Sequence, residues 1–312
     1  MNQTVVALGM FDGVHKGHHA LLRRAAEIAH ANGDIAVAFT YDNHPKELFF
    51  GAFSYLCTKE QREELIRETG CDRMDSVPFD ATFAAMEPNE FLEWLTARYT
   101  GGISAIVAGY DYRFGAKAKG DTALLGTLCG TRGIALSVID EVKVDGETCS
   151  STCIREAIRE GDMERAERML GRPYTLSGEV VHAKALGRQF DCPTANLDAG
   201  ALLLPKDGVY ATELAFEGER YDAVTNVGTN PTVGGRARTV ETHAIGESLD
   251  LYGKRVEVAF FLRLRDEKKF DSKDLLFMQI KKTRKRQKKF AKIAKKVFTI
   301  RNRCAKLSKV KP

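Results

Sequence analysis

Residues 5–18 constrain this chain more than any other segment. The apolar run Val5, Val6, Ala7, Leu8 leads straight into a glycine-rich turn that carries His15 and then His18, separated by Lys16 and Gly17. Residues 5–8 read as a buried strand, Gly9 and Gly13 allow backbone conformations that other residues resist, and 17–31 reads as a helix. A strand that turns directly into a helix leaves N–H groups and the positive end of the helix dipole at the turn, where phosphate is favoured. His15 and His18 sit where imidazole donors meet phosphate oxygens as negative charge grows during phosphorus–oxygen exchange. Gly17, between them, keeps a side chain out of the nucleotide's path. One histidine in a loop is an ordinary surface residue. Strand, glycine turn, paired histidines and helix together point to a nucleotide-phosphate site.

The pattern around this turn predicts the fold class. Strand candidates at 4–8, 35–40, 104–109 and 134–139 alternate with helical candidates at 17–31, 58–69, 88–99 and 121–132. Such alternation implies a parallel sheet with helices on both faces and ligands at the carboxyl ends of the strands. The strand before Tyr-Asp-Tyr-Arg-Phe-Gly at 110–115 therefore brings Asp111 and Arg113 toward the crevice of the histidine turn. Ser-Ser-Thr-Cys-Ile-Arg at 150–155 opens a later helix. Ser151, Thr152 and Arg155 fit a second phosphate clamp, and the segment fits an ordinary helix cap equally well.

From Thr175 the pattern changes to short β-like runs at 176–182, 208–216, 220–227, 238–245 and 254–264, separated by Gly and Pro. These predict a small antiparallel barrel. Polar constellations interrupt it at 192–196 (Cys-Pro-Thr-Ala-Asn), 226–232 (Asn-Val-Gly-Thr-Asn-Pro-Thr) and 239–243 (Thr-Val-Glu-Thr-His). Glu241, a carboxylate inside a strand-like run, is either a general base or a solvent-face residue, and strand alternation alone favours the solvent face.

At 312 residues the chain is long enough for two domains. Gly-Arg-Pro-Tyr at 171–174 marks the boundary, giving domains at 1–172 and 173–280 and a tail at 281–312. No apolar run approaches the roughly 20 residues a membrane span needs, and the N-terminus lacks the pattern of a signal peptide. The seven cysteines are scattered with no CxxC pair, which suggests a reducing, cytoplasmic location without a disulfide framework or zinc site. The net charge of +5 hides an asymmetry: residues 281–312 hold 15 Lys or Arg and no acidic residue, leaving 32 basic against 42 acidic groups ahead of them.

The ordered set of motifs resembles the bacterial bifunctional riboflavin kinase/FAD synthetases over about residues 3–280. It comprises Gly-Met-Phe-Asp-Gly-Val-His-Lys-Gly-His at 9–18, Phe-Thr-Tyr-Asp-Asn-His-Pro at 39–45, Ala-Gly-Tyr-Asp-Tyr-Arg-Phe-Gly at 108–115 and the 150–155 segment. In the second half it adds Gly-Arg-Pro-Tyr-Thr-Leu-Ser-Gly at 171–178, Pro-Thr-Ala-Asn at 193–196, Gly-Val-Tyr-Ala at 208–211, the 226–232 and 239–243 segments, and Leu-Tyr-Gly-Lys at 251–254. The resemblance implies a Rossmann-like nucleotidyltransferase domain followed by a small β-barrel riboflavin kinase domain. It implies that the barrel phosphorylates riboflavin to FMN with ATP, Glu241 serving as base and Thr194 and Asn196 holding magnesium and phosphates. This match outweighs the solvent-face reading of Glu241. It implies that the N-terminal domain transfers the adenylyl group of a second ATP to FMN, giving FAD and pyrophosphate. There His15 and His18 would contact the triphosphate, the segment with Gly9, Phe11, Asp12 and Gly17 would border the nucleotide, and Ser151, Thr152 and Arg155 would hold phosphates. Asp111 and Arg113 would lie near the flavin and phosphate contacts, with magnesium bridging.

The chain departs from the family pattern in places. Cys153 stands where a basic residue is usual, and Ala183, Asp191 and Cys192 make the kinase loop poor in glycine. An adenylyltransferase with an impaired kinase half is therefore the alternative reading. A second alternative, from another class, is a non-catalytic flavin- or RNA-binding protein acting through the basic tail. A solvated tail without a partner is the favoured reading of 281–312.

Overall fold

The computed structural model describes residues 2–181, 194–232, 235–247 and 249–266. The N-terminal half is a five-stranded, all-parallel sheet. Its strands are β1 (Thr4–Leu8), β2 (Ile35–Tyr41), β3 (Arg73–Val77), β4 (Ile103–Gly109) and β5 (Ala135–Ile139), in the order β3-β2-β1-β4-β5. Six helices are interspersed among these strands: α1 (Lys16–Asn32), α2 (Pro45–Phe50), α3 (Lys59–Glu68), α4 (Ala81–Ala84), α5 (Pro88–Ala97) and α6 (Thr122–Gly130).

The apolar run of β1 is explained by burial on both faces. Val5 and Ala7 join the cluster that contains Leu21, Leu22 and Ala25 of α1, whereas Val6 and Leu8 join the one that contains Phe91, Leu92 and Leu95 of α5. Alternate residues of one strand thus serve two cores, as the two-residue period of a strand requires. The chain leaves β1 toward β2 and β3, then crosses back to place β4 on the other side of β1. The order reverses between β1 and β4, so the crevice of the sheet opens beyond their carboxyl ends, at the histidine turn and at residues 110–115.

A short hairpin, β6 (Lys143–Val144) and β7 (Glu147–Thr148), precedes helices α7 (Ser151–Glu160) and α8 (Met163–Leu170). The second half is a closed antiparallel barrel of β8 (Tyr174–Val181), β9 (Ala195–Asp198), β10 (Gly208–Phe216), β11 (Glu219–Thr232), β12 (Gly235–Ala244) and β13 (Arg255–Arg265). The order is β10-β11-β12-β9-β8-β13, and pairing of β13 with β10 closes it. Ile154, Ile158, Met163 and Met169 of α7 and α8 share one buried cluster with Leu176, Tyr210, Val258 and Phe260 of the barrel. Inside the barrel the hydroxyls of Thr212, Thr225 and Thr242 link in a chain at 2.8 and 2.9 Å, so three buried polar groups satisfy one another.

The α/β half and the barrel are both as the sequence predicts. Strands β3, β6, β7 and β9 and the short helices α2 and α4 are additions to the predicted elements. Ala183, Asp191, Cys192 and the tail at 281–312 lie outside the described residues.

Candidate active sites

Three residues give the turn after β1 a left-handed backbone: Phe11 (φ 51°), Gly13 (φ 79°) and Val14 (φ 35°). Side chains resist this region, at a cost on the order of 1–3 kcal/mol each, so the surroundings must hold the turn. Four groups from distant parts of the chain do so. Asp12 Oδ1 accepts the Leu56 N–H at 2.9 Å, and the Gly13 N–H donates to Cys57 Sγ at 3.2 Å. Arg155 Nη2 donates to Asp12 Oδ2. Arg172 donates from Nη2 to the Gly13 carbonyl at 2.7 Å and from Nη1 to the Val14 carbonyl at 3.2 Å.

His15 caps α1, its Nδ1 accepting the His18 N–H at 3.3 Å. An accepting Nδ1 places the proton of a neutral ring on Nε2, which becomes the donor. The two imidazoles stack with centroids 3.7 Å apart, and Phe11 meets the His18 ring edge-on at 5.3 Å. Burial, together with the charges of Arg172 and Arg155, lowers the His15 pKa to about 3. Burial first, then His15 and Arg155, hold His18 well below its ordinary value. Both rings are therefore neutral hydrogen-bonding groups at pH 7. His18 Nδ1 is buried and lacks a partner among the described residues, as a group awaiting a ligand does.

Gly17 has a reason nearer than the nucleotide. A Cβ there would lie 3.1 Å from the His15 ring and 3.3 Å from the Cys149 carbonyl. The missing side chain makes room for His15 itself. Behind that ring lies the buried thiol of Cys149, 3.7 Å from Nδ1, with Sγ donating to the Met169 carbonyl at 3.3 Å.

The other expected residues divide into inner and outer groups. Phe11 is wholly buried and Asp12 nearly so, leaving only backbone there to border a nucleotide. A Cβ on Gly9 would lie 2.7 Å from the Phe11 ring, so Gly9 serves that packing. Arg155 is turned inward: besides Asp12 it donates to the Ser151 carbonyl at 3.1 Å and the Ser54 carbonyl at 3.4 Å, and it lies over the Phe53 ring at 4.6 Å. The cap of α7 is Ser150, whose Oγ accepts the Cys153 N–H at 3.2 Å. Ser151 Oγ donates to the Asp12 carbonyl at 3.0 Å, and Thr152 is exposed on the first turn. Asp111 and Arg113 are exposed beyond β4, beside the histidine turn in sheet order, with Arg113 Nη1 3.8 Å from Asp121 Oδ2.

A second constellation lies on the barrel. Glu241 of β12 pairs with Asn226 of β11 on one side and Asn196 of β9 on the other. The flanking Thr225, Val227, Val240, Thr242, Ala195 and Leu197 are buried, so alternation places Asn226, Glu241 and Asn196 together on the outer face, each half-buried. The solvent-face and base readings of Glu241 thus describe the same location. Asn196 Oδ1 is buried without a partner among the described residues, and the half-buried Thr194 precedes it by two residues. An orphaned amide oxygen beside a carboxylate and a hydroxyl is a hard-oxygen set suited to a magnesium-like cation.

Sequence reasoning missed Arg172, Leu56 and Cys57 as supports of the histidine turn. Arg172 stands in a Gly-Arg-Pro-Tyr segment that reads only as a boundary.

Two family models match the chain: FAD synthetase over residues 1–153 and riboflavin kinase over 170–291. A bifunctional riboflavin kinase/FMN adenylyltransferase of Escherichia coli K12 is 34% identical over 279 residues, 88% of this chain and 89% of that one. One from Listeria monocytogenes is 33% identical over 284 residues, 89% of each chain. A crystal structure from Streptococcus pneumoniae, described as a macrolide-efflux protein, is similar with a TM-score of 0.81 at 32% identity, covering 90% of this chain and 92% of that one.

Proposed function

The chain belongs to the family of bifunctional riboflavin kinase/FMN adenylyltransferases, and we propose how its own residues divide the two reactions. It phosphorylates riboflavin to FMN and joins FMN to the adenylyl group of ATP to form FAD. The observation that carries the division is that, of the four buried side-chain polar atoms without a partner among the described residues, His18 Nδ1 lies in the α/β half and Asn196 Oδ1 on the barrel, which supports two separate sites.

In the kinase reaction the 5′-hydroxyl of riboflavin attacks the γ-phosphorus of ATP, and ADP leaves. The hydroxyl must lose its proton as the bond forms, and Glu241 is the carboxylate that takes it. Thr194 and Asn196 would hold Mg2+, which when bound neutralises phosphate charge. The Asn226 and Asn196 backbones, paired on either side of Glu241, fix the base in place.

In adenylyl transfer an FMN phosphate oxygen attacks the α-phosphorus of ATP, and pyrophosphate leaves. The nucleophile is already an anion, so alignment and charge neutralisation replace base catalysis. His15 and His18 face the triphosphate as neutral donors. Thr152 offers its exposed hydroxyl from the start of α7, while Arg155 and Ser151 act one step back by holding Asp12. Asp111 and Arg113 lie on the flavin side of the crevice.

Among the described residues no helix is long and apolar enough to cross a membrane. A cytoplasmic location is part of the proposal, supported by scattered cysteines and ATP-dependent chemistry. The impaired-kinase and tail-binding alternatives are not favoured: the barrel keeps the Asn196, Glu241 and Asn226 row, and the chain matches its bifunctional relatives across both halves.

Single variants test the division. His18→Ala should abolish FAD formation and leave FMN formation, and Glu241→Gln should do the reverse when FMN is supplied. Loss of both activities in either variant contradicts separate sites.

A further inference from the structure

We propose that Arg172 is a positioning residue for adenylyl transfer, contributed to the N-terminal site by the connector that leads into the kinase barrel. The proposal rests on the reading of the histidine turn as the site of the ATP triphosphate.

Helix α8 ends at Gly171, in a left-handed conformation (φ 79°), and the next residue reaches under the turn between β1 and α1. Its guanidinium gathers three carbonyls, those of Gly13 at 2.7 Å, Val14 at 3.2 Å and Leu170 at 3.4 Å. Two of them belong to consecutive residues with positive φ, a backbone that does not hold itself. The fork of a guanidinium can grip two carbonyls at fixed separation, which a lysine cannot. A peptide unit is planar, so fixing the Val14 carbonyl toward Arg172 aims the His15 N–H the opposite way. The orientation of the cap residue, and with it the stacked His15–His18 pair, is thereby set from below.

Charge supports the same assignment. Two arginines flank this turn, and they differ. Arg155 is matched by the buried carboxylate of Asp12, so that pair is locally neutral. Arg172 forms no ion pair among the described residues, and its hydrogen-bond acceptors are carbonyls. Its positive charge, offset by Glu68 only from beyond ion-pair distance, lies beneath a turn whose two imidazoles are neutral. A half-buried cation so placed favours a polyanion at the mouth of the turn.

The test uses the full-length protein with Arg172→Gln and Arg172→Lys, measuring FAD formation from supplied FMN against ATP concentration. FMN formation from riboflavin in the same preparations reports intact folding. Arg172→Gln should lower kcat/KM for ATP by about 10²-fold, the scale of a misplacement near 1 Å, with kinase turnover retained. Arg172→Lys, which restores charge without the fork, should recover KM for ATP while kcat stays depressed. Full adenylyl transfer in Arg172→Gln overturns the proposal, as does equal loss of both activities in both variants, which would mark a folding role. His18→Ala, run alongside, separates the two ideas: if it keeps FAD formation, the histidine-turn reading itself fails, whatever Arg172 does.

Discussion

Replacing Arg155 with methionine distinguishes a brace from a phosphate ligand. The side chains of Arg155 and Asp12 are 11% and 3% exposed, so their ion pair sits almost entirely out of water. Burial raises the Asp12 pKa above its ordinary 3.8, and Arg155 is the chief charge opposing that rise. A carboxyl whose folded pKa lies above its unfolded value binds its proton more tightly in the folded state. Its stabilising effect is thus full below pH 3.8 and is lost as pH rises through the folded value. At neutral pH the carboxylate is a net burden, tolerated because Arg155 is there. Methionine leaves that carboxylate buried without its cation, and removing one partner of such a pair costs about 3–5 kcal/mol. At roughly 2–4 °C per kcal/mol for a protein of this size, Tm should fall by about 10 °C. Adding Asp12→Asn should return most of the loss, because the orphan charge disappears while the amide oxygen still accepts the Leu56 N–H. Thermal unfolding of the single and double variants, together with KM for ATP in FAD formation, measures both effects. An unchanged Tm with a large rise in KM for ATP would refute the bracing role and return Arg155 to the phosphates.

Further outcomes follow from the same geometry. Gly17→Ala sets a methyl 3.1 Å from the His15 ring, with the Cys149 carbonyl behind it at 3.3 Å, so the ring must shift. FAD formation from FMN should fall by roughly tenfold or more while FMN formation is kept, and an unchanged rate would show that the ring position is not critical. His15, lowered to about 3 from 6.5, resists protonation in the folded state, so it stabilises fully above pH 6.5 and progressively less as pH falls toward 3. Between pH 6.5 and 5 this residue alone should remove about 1.6 kcal/mol, because the slope reaches its full ~1.4 kcal/mol per pH unit only well below the unfolded pKa. His15→Asn keeps a capping side chain and should flatten that decline in urea unfolding. An identical decline in the variant would contradict the assignment.

The parts of the fold visible in the sequence are those where one physical signal dominates. Strands β1 and β4 are apolar except for Thr4 and Ser104 because helices cover both faces, and α1 follows its glycine turn directly. Strand β3, Arg73–Val77, carries Arg, Asp and Ser because it is an edge strand with one buried residue, so hydrophobic pattern does not reveal it. Strand β9 is only four residues, Ala195–Asp198, inside a polar motif, and its strand character comes from neighbours on both sides. The histidine pair and the Glu241 segment were legible as local patterns. The Arg155–Asp12 pair was not, because its members are 143 residues apart and only the tertiary fold shows that one consumes the other. Arg172 was hidden for the same reason: its partners in the histidine turn lie 158 and 159 residues away.

The most direct measurement is a chromatographic time course of the purified full-length protein with riboflavin, ATP and magnesium. FMN should appear first and FAD should follow at its expense, both from one chain. FAD arising only when FMN is supplied would contradict a working kinase site on the barrel and leave the α/β half as the sole active part.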